Sequence, residues 1–451
     1  MKVDPSMFKA YDIRGIYEDN LFPETATAIG KAFVKLLAPK TVILGRDGRV
    51  SGPALYEAMV AGITSCGVDV IDIGMVSTDM YYYACAEKKL PGIMITASHN
   101  PKEYNGFKMV RQIPYLLSGE DGIQEIREYV ENDNFPPVAD QPGQVSSWDI
   151  MDGYIDKVIS LIGDVTKIKP FTVAVDPANG MVGPSFAKLA ERIPQLKVIP
   201  MYFDVDGNFP NHGGDPLLAE NRVDLEKRVV TEHADFGFAF DPDGDRFFCV
   251  DGQGRFVSGD FLTALYAQYF LDKVPGTAIV YDIRASYAVP EIITAKGGKA
   301  LYNKVGHAFI KRRMVDENAI FGGEVSGHYY FTDFYYCDAG LVAATYFLDM
   351  MSKASESLEK MVDRLSSKYY ISGEINTKGV DGKVVFAKLE EKYGKDSLET
   401  LYVDGVSMKF PDWHFNVRTS NTEPLVRLNL EAVDRATMEA KRDEVLALIR
   451  S

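Results

Sequence analysis

Three carboxylates at alternate positions, Asp241, Asp243 and Asp245, stand in the run DPDGDR between two apolar stretches, FGFAF and FFCV. Acids this close repel one another unless a hard cation shares their oxygens, and a compact oxygen cage is what Mg²⁺ takes. The run is not an EF-hand loop: its sixth position is Arg246 where that loop needs glycine, and its twelfth is Gly252 where it needs glutamate. A solvated acidic hairpin turn is the alternative. Arg246, next to the acids, could balance their charge or touch a phosphate.

Further segments carry groups suited to phosphate or sugar chemistry. In TASHNP the hydroxyl of Ser98 follows the apolar run GIMI, so it stands at the end of a strand, where open α/β sheets bind ligands. A serine is a weak nucleophile without a base, a metal or a positive field, and His99 and the Lys108 of YNGFK could supply part of that. In GEVSGH, Glu324 and Ser326 suit the gripping of sugar hydroxyls. In Arg418-Thr-Ser420-Asn421-Thr422 one guanidinium, several hydroxyl or amide groups and a small-residue turn could surround a phosphate with donors. FKAYDIRG sets Tyr11 and Arg14 just before a glycine, and His307 of KVGHAF could present an imidazole at a helix start for proton transfer. Taken singly, each has an ordinary reading as a polar turn or a satisfied structural residue.

The elements that must position these loops repeat. Thr41 to Gly45, Phe171 to Asp176 and Ala278 to Asp282 are short buried strands by pattern, and each runs through a loop into helical spacing at Pro53 to Ile63, Pro184 to Ile193 and Pro290 to Ala295. Farther along each unit comes a second strand-loop-strand segment with its polar residues at the loop: GIMITASHNPKEYNGFKMV, DFGFAFDPDGDRFFCV and AIFGGEVSGHYYF. One α/β unit used three times, with mainly parallel sheets and right-handed crossovers, is the expectation. The remainder, from about Ser367, has strand-like segments, the RTSNTEP loop and a closing helix over Arg435 to Ile449, as a smaller α+β domain. Pro136 to Ser147, Asp251 to Gly254 and Ser366 to Ser372 are the candidate linkers.

Size and charge bound the partners. A chain of 451 residues exceeds one hydrophobic core and calls for three or four domains. A formal net charge of -15 repels nucleic acid and anionic lipid, so an anionic substrate must be met by local positive charge. No apolar run has the length of a signal-peptide core or a membrane span, so a cytoplasmic protein without a membrane partner is expected. Cys66, Cys85, Cys249 and Cys337 have no paired spacing and fit reduced thiols in apolar surroundings.

Together and in this order, FKAYDIRG, TASHNP with YNGFK, DPDGDR, GEVSGH and RTSNTEP resemble the α-D-phosphohexomutase family across essentially the whole chain. The GEVSGH loop and the SHN start are most similar to its bacterial phosphomannomutase/phosphoglucomutase branch and less so to the phosphoglucosamine mutases. The resemblance implies an α/β protein of four domains around a central cleft: three related mixed α/β domains, 1–147, 148–253 and 254–366, and a smaller C-terminal α+β domain, 367–451, that grips phosphate and closes as a lid. It implies that Ser98 carries a phosphoryl group and that Asp241, Asp243 and Asp245 hold Mg²⁺ with an oxygen of that phosphoserine, Arg246 lying alongside. Glu324 and Ser326 would contact sugar hydroxyls with His328 nearby, and Arg418, Ser420, Asn421 and Thr422 would bind the phosphate that is not reacting. Tyr11, Arg14, His99, Lys108 and His307 match cleft-lining positions, and Arg284 stands where relatives can carry lysine.

The implied activity is an intramolecular phosphotransfer on hexose phosphates, 1-phosphate to 6-phosphate, of mannose, glucose or both, through phosphoserine and a hexose 1,6-bisphosphate that also serves as activator. A monomer or weak dimer is expected. The competing readings are a phosphoglucosamine mutase, a metal-dependent sugar phosphatase using Asp241 as nucleophile, and a non-catalytic sugar-phosphate sensor.

Overall fold

The computed structural model describes residues 3–119, 121–419 and 425–451. The chain divides into two compact units, Met1–Val257 with Ser326–Ala354, and Ser258–Val325 with Ser355–Ser451.

The first unit holds two sheets built on one plan. In one, the strand Thr41–Arg46 lies between Asp69–Met75 and Gly92–Ile95 and runs parallel to both. In the other, Thr172–Asp176 lies in the same way between Lys197–Pro200 and Phe236–Phe240. Each parallel trio is then extended by antiparallel strands, Tyr104–Gln112 and Ile13–Ile16 in the first sheet, Phe247–Asp251 and Phe256–Val257 in the second. The sheets are therefore mixed, because the polar loops of TASHNP and DPDGDR double the chain back beside its own strand instead of feeding a crossover helix.

These strands read as continuous apolar runs because helices cover both faces. Phe236–Phe240 and Phe247–Asp251 are buried at every position. The ring of Phe347, on the helix Gly340–Lys353, meets Phe236 and Phe238 edge-on at 5.1 and 5.4 Å between centroids. That helix begins against the acidic turn: the Gly340 amide donates to Gly244 O at 3.1 Å, and a β-carbon at 340 would lie 2.6 Å from the same oxygen. Glycine is required for so close an approach.

In the second unit, Ala278–Asp282 again runs parallel to a strand on each side, Lys299–Asn303 and Phe321–Gly323. The three trios thus share an order in which the first strand in sequence is central. The polar loops after Ile95, Phe240 and Gly323 all leave the carboxyl end of the same strand of the repeat, where ligand sites of α/β sheets lie. The C-terminal part is an antiparallel sheet, Tyr370–Ile371, Leu425–Ala432, Trp413–Thr419, Val406–Lys409 and Glu399–Leu401, with Ile375–Lys378 also on Leu425–Ala432. Helices Gly382–Tyr393 and Arg435–Arg450 pack on it.

Two of the expected linkers are structured differently. Val145–Ser147, the end of the Pro136 to Ser147 stretch, is a strand paired with Val70–Asp72 although its own residues are exposed. Asp251 to Gly254 is the turn of the hairpin that pairs Cys249 with Val257. Backbone pairing organises both, and it leaves no apolar signature in so short a segment. No helix among the described residues is long and apolar enough to cross a membrane.

Candidate active site

The turn at Asp241–Arg246 exists because Gly244 takes φ 76°, a left-handed conformation that folds the chain back in two residues. The fold buries Asp241 and Asp243 completely and leaves Asp245 2% exposed. One oxygen from each of the three lies within 4.8 Å of the others, a separation suited to one shared cation. Oδ1 of Asp243 has no hydrogen-bond partner among the described residues, which leaves it available as a ligand. Burial, and then the charges of Asp245 and Asp243, push Asp241 well above the usual carboxylate range. Burial opposes the charge of Asp243 and Asp245 too, but Lys108 brings both below that range, with His328 also acting on Asp245. The donor set therefore fits a divalent metal ion.

Ser98 sits beside this turn. Its hydroxyl donates to Asp241 Oδ2 at 2.6 Å, and Nδ1 of His99 lies 3.2 Å from Ser98 Oγ. Burial, then the charges of Arg246 and Arg14, hold His99 well below the ordinary imidazole range, so its ring is neutral. Nε2 of that ring faces the Arg246 guanidinium at 3.5 Å, and a guanidinium can only donate. With Nε2 accepting from Arg246, Nδ1 bears the hydrogen and faces the serine oxygen. Lys108, on the strand Tyr104–Gln112, places Nζ 2.7 Å from Asp243 and also bonds Asp245, and these charges raise its affinity for a proton despite burial.

Arg14 joins the same group through Asp12 (2.8 Å), the Ala97 carbonyl (3.2 Å) and the side chain of Asn100. Tyr11 is half-buried next to Asp12. His328 lies 3.3 Å from Asp245, and its Nδ1 is 3.0 Å from the Ser326 hydroxyl. Asp338 completes a second acidic group with Asp245 and His328.

The loop that carries Ser98 is held in place by a buried arginine. Ser98 has φ 49°, which costs a residue with a β-carbon roughly 1–2 kcal/mol. Arg49, wholly buried, donates from Nη2 to the carbonyls of Ser98 and Asn100, both at 2.7 Å, and from Nη1 to those of Pro101 and Tyr104, both at 2.8 Å. Hydrogen bonds from a charged donor contribute about 1.5–3 kcal/mol each, so four of them outweigh the strain. Asp47 accepts from the Arg49 amide and from Thr96 Oγ1, which in turn accepts from the Ser98 amide at 2.9 Å.

The second unit collects another group. Glu324 Oε1 accepts from the Gly306 amide at 3.1 Å, beside His307 at the start of the helix His307–Asp316. Asp404 accepts from the Val305 amide at 3.0 Å and from Arg418 Nε at 3.1 Å. Arg284 is bound on two sides by Asp282, at 3.0 and 2.9 Å, and by Glu374 at 2.8 Å, and Glu374 also takes Arg427. Burial works against the Glu374 charge, but Arg284 and Arg427 hold its carboxyl down at about 2. Ser420, Asn421 and Thr422 lie outside the described residues.

Sequence reasoning missed Asp47, Arg49, Asp338, Glu374 and Asp404. Only the first two carried a signal, a charged pair in RDGRVSG directly after a buried strand.

The sequence matches four family profiles in succession: phosphoglucomutase/phosphomannomutase α/β/α domain I over residues 5–137, domain II over 152–254, domain III over 258–369, and the C-terminal domain over 374–448. The chain is 40% identical over 451 residues to a phosphomannomutase of Salmonella montevideo, covering 98% of this chain and 99% of that protein. It is 39% identical over 449 residues to a phosphomannomutase of Escherichia coli K12, covering 98% of each. Among solved structures, a phosphoglucomutase/phosphomannomutase family protein of Burkholderia thailandensis superposes with a TM-score of 0.88 at 31% identity, over 100% of this chain and 98% of that one.

Proposed function

The chain belongs to the phosphoglucomutase/phosphomannomutase family, and from that premise we propose how this phosphohexomutase works and on what. Ser98, once phosphorylated, gives its phosphoryl group to the free hydroxyl of a hexose 1- or 6-phosphate. The bond from phosphorus to Ser98 Oγ breaks and a bond to the sugar oxygen forms; the sugar hydroxyl gives up its proton and Ser98 Oγ takes one up, leaving as the hydroxyl that donates to Asp241. The resulting 1,6-bisphosphate turns round and returns its other phosphate to Ser98, so the net change is the position of the phosphate.

Asp241, Asp243 and Asp245 hold a divalent cation, Mg²⁺ by the all-oxygen, acidic character of the set. When bound, the ion supplies positive charge to the transferring group. Lys108 and Arg246 add fixed positive charge where the loose transition state of phosphoryl transfer spreads its negative charge. Asp241 and His99 orient Ser98 Oγ. Glu324 and Ser326 take sugar hydroxyls, and Arg418 with Ser420, Asn421 and Thr422 takes the distal phosphate. Arg284, held by Asp282 and Glu374, is a rigid donor there and not a mobile cation. Mannose phosphate is the preferred substrate, the relatives at 40% and 39% identity being phosphomannomutases.

The observation that carries this reading is the 2.6 Å hydrogen bond from Ser98 Oγ to Asp241, in a group that also holds Asp243, Asp245 and Lys108. The test is intact mass after incubation with a hexose 1,6-bisphosphate and Mg²⁺: one added phosphoryl group in the wild type and none in Ser98→Ala. A coupled assay on mannose, glucose and glucosamine 1-phosphates should give the largest kcat/KM for mannose and a loss of at least about 10⁴-fold in Ser98→Ala, which removes the nucleophile outright. Mutase turnover retained in Ser98→Ala overturns the phosphoserine.

A further inference from the structure

We propose that Arg49 is a positioning residue for phosphoryl transfer: its guanidinium fixes the backbone of residues 98–104 so that Ser98 Oγ meets Asp241. The inference rests on Ser98 being the phosphoryl carrier. Residues 96–103 form neither strand nor helix, and the tip of the loop, Pro101 to Glu103, is exposed. Such a segment has no ladder to hold it in one conformation, yet a nucleophile displaced by about 1 Å can cost about a hundredfold in rate. Three of its carbonyls, those of Ser98, Asn100 and Pro101, and that of Tyr104 where the next strand begins, instead converge on one planar fork of donors.

That fork is itself fixed with respect to the acidic turn. Asp47 lies 3.3 Å from Arg49 Nε and binds Thr96, whose hydroxyl oxygen accepts from the Ser98 amide and lies 3.2 Å from Asp243. From the other side the segment Val205 to Phe209 seals the arginine. The Phe209 ring centroid is 5.3 Å from the guanidinium carbon, and the backbone at Gly207 packs so tightly that a β-carbon there would lie 2.4 Å from Gly48 O. Val205 fills the space over Gly48, where a β-carbon would meet it at 2.3 Å. Arg49 therefore sits where the loop bearing Ser98 meets the segment Val205 to Phe209. A residue needed only for folding has no reason to spend four donors on one side of a single loop. One that sets the reach of Oγ to Asp241 does.

Arg49→Lys keeps the charge opposite Asp47 but cannot span four carbonyls. The expected result is a kcat lowered about a hundredfold, with KM for hexose 1-phosphate within about threefold of wild type because the variant touches no substrate group. Phosphoryl uptake on Ser98 from hexose 1,6-bisphosphate should slow by the same factor as kcat. A folded Arg49→Lys protein that takes up phosphate at the wild-type rate overturns the assignment, as does a loss of KM alone. If the variant does not fold, amide exchange in the wild type decides. The amides of Asn100 and Tyr104, bonded within the loop to Ala97 O and Pro101 O, should be protected to the degree of the central strand Thr41–Arg46; exchange as fast as in an open loop overturns the clamp. A wild type that takes up no phosphoryl group removes the reading of Ser98 and the assignment with it, whereas wild-type uptake matched by Arg49→Lys removes the assignment alone.

Discussion

Lys108 puts an ammonium group against Asp243 and Asp245 in a place that water does not reach, and it stays charged because the two carboxylates outweigh its desolvation. The same charge lowers their proton affinity, so lysine and acids keep one another ionised. A phosphoryl group on Ser98 would add negative charge beside Asp241, where Arg246 Nε lies 3.9 Å from Oδ2 and Lys108 balances the other two acids. Lys108→Gln should lower kcat by about 10²–10³-fold, the usual cost of removing one fixed donor from a developing anion. Steady-state kinetics at saturating bisphosphate measure this. An unchanged kcat would mean that the lysine serves only to neutralise the triad.

At the scale of elements, the three parallel trios each send a functional loop from the carboxyl end of the strand beside the central one, but the loops are fixed by different devices. The loop after Gly92–Ile95 depends on a buried arginine. The turn after Phe236–Phe240 depends on glycine, since Gly244 is at φ 76° and a β-carbon there would lie 2.6 Å from Val182 Cγ2 and 3.1 Å from Ser77 Cβ. Gly244→Ala should destabilise the protein by about 2–4 kcal/mol, the sum of a left-handed alanine and overpacking. It should also weaken metal affinity, because Asp243 and Asp245 flank the strained residue. Denaturant unfolding and metal titration of the same variant measure both.

Over the whole molecule, buried carboxylates give folding a pH dependence of two signs. Asp79, fully buried on the helix Thr78–Lys88, accepts from Ser77, from the Met80 amide at 2.9 Å and from the Tyr154 hydroxyl at 2.7 Å. Burial still pushes it up from 3.8 to about 6. Between those values the native state binds a proton that the unfolded chain has lost, so stability falls as pH rises from 3.8 to about 6 and is level beyond. Glu374 acts oppositely: held at about 2, it contributes stability above 4.5 that is lost as pH falls through 2. The stability of wild type relative to Asp79→Asn should therefore drop by about 2 kcal/mol between pH 4 and pH 7. Urea unfolding of both proteins at a series of pH values checks this, and a constant difference would mean that Asp79 is ionised throughout.

The sequence by itself determined the repeat, the strands and the chemistry-bearing loops, because each is a local pattern. Thr172–Asp176 and Ala278–Asp282 are apolar runs with turn residues after them, and DPDGDR can be read as an ion cage from its own spacing. The family resemblance supplied the role of Ser98, which no spacing near residue 98 states. Tertiary structure decided what depends on partners distant in the chain: that Ser98 donates to Asp241, that Arg284 is bound by Glu374, 90 residues on, and that an arginine at 49 grips carbonyls at 98 to 104. A charged residue in a loop looks the same in sequence whether it is solvated or buried among partners, and only the packing around it distinguishes the two.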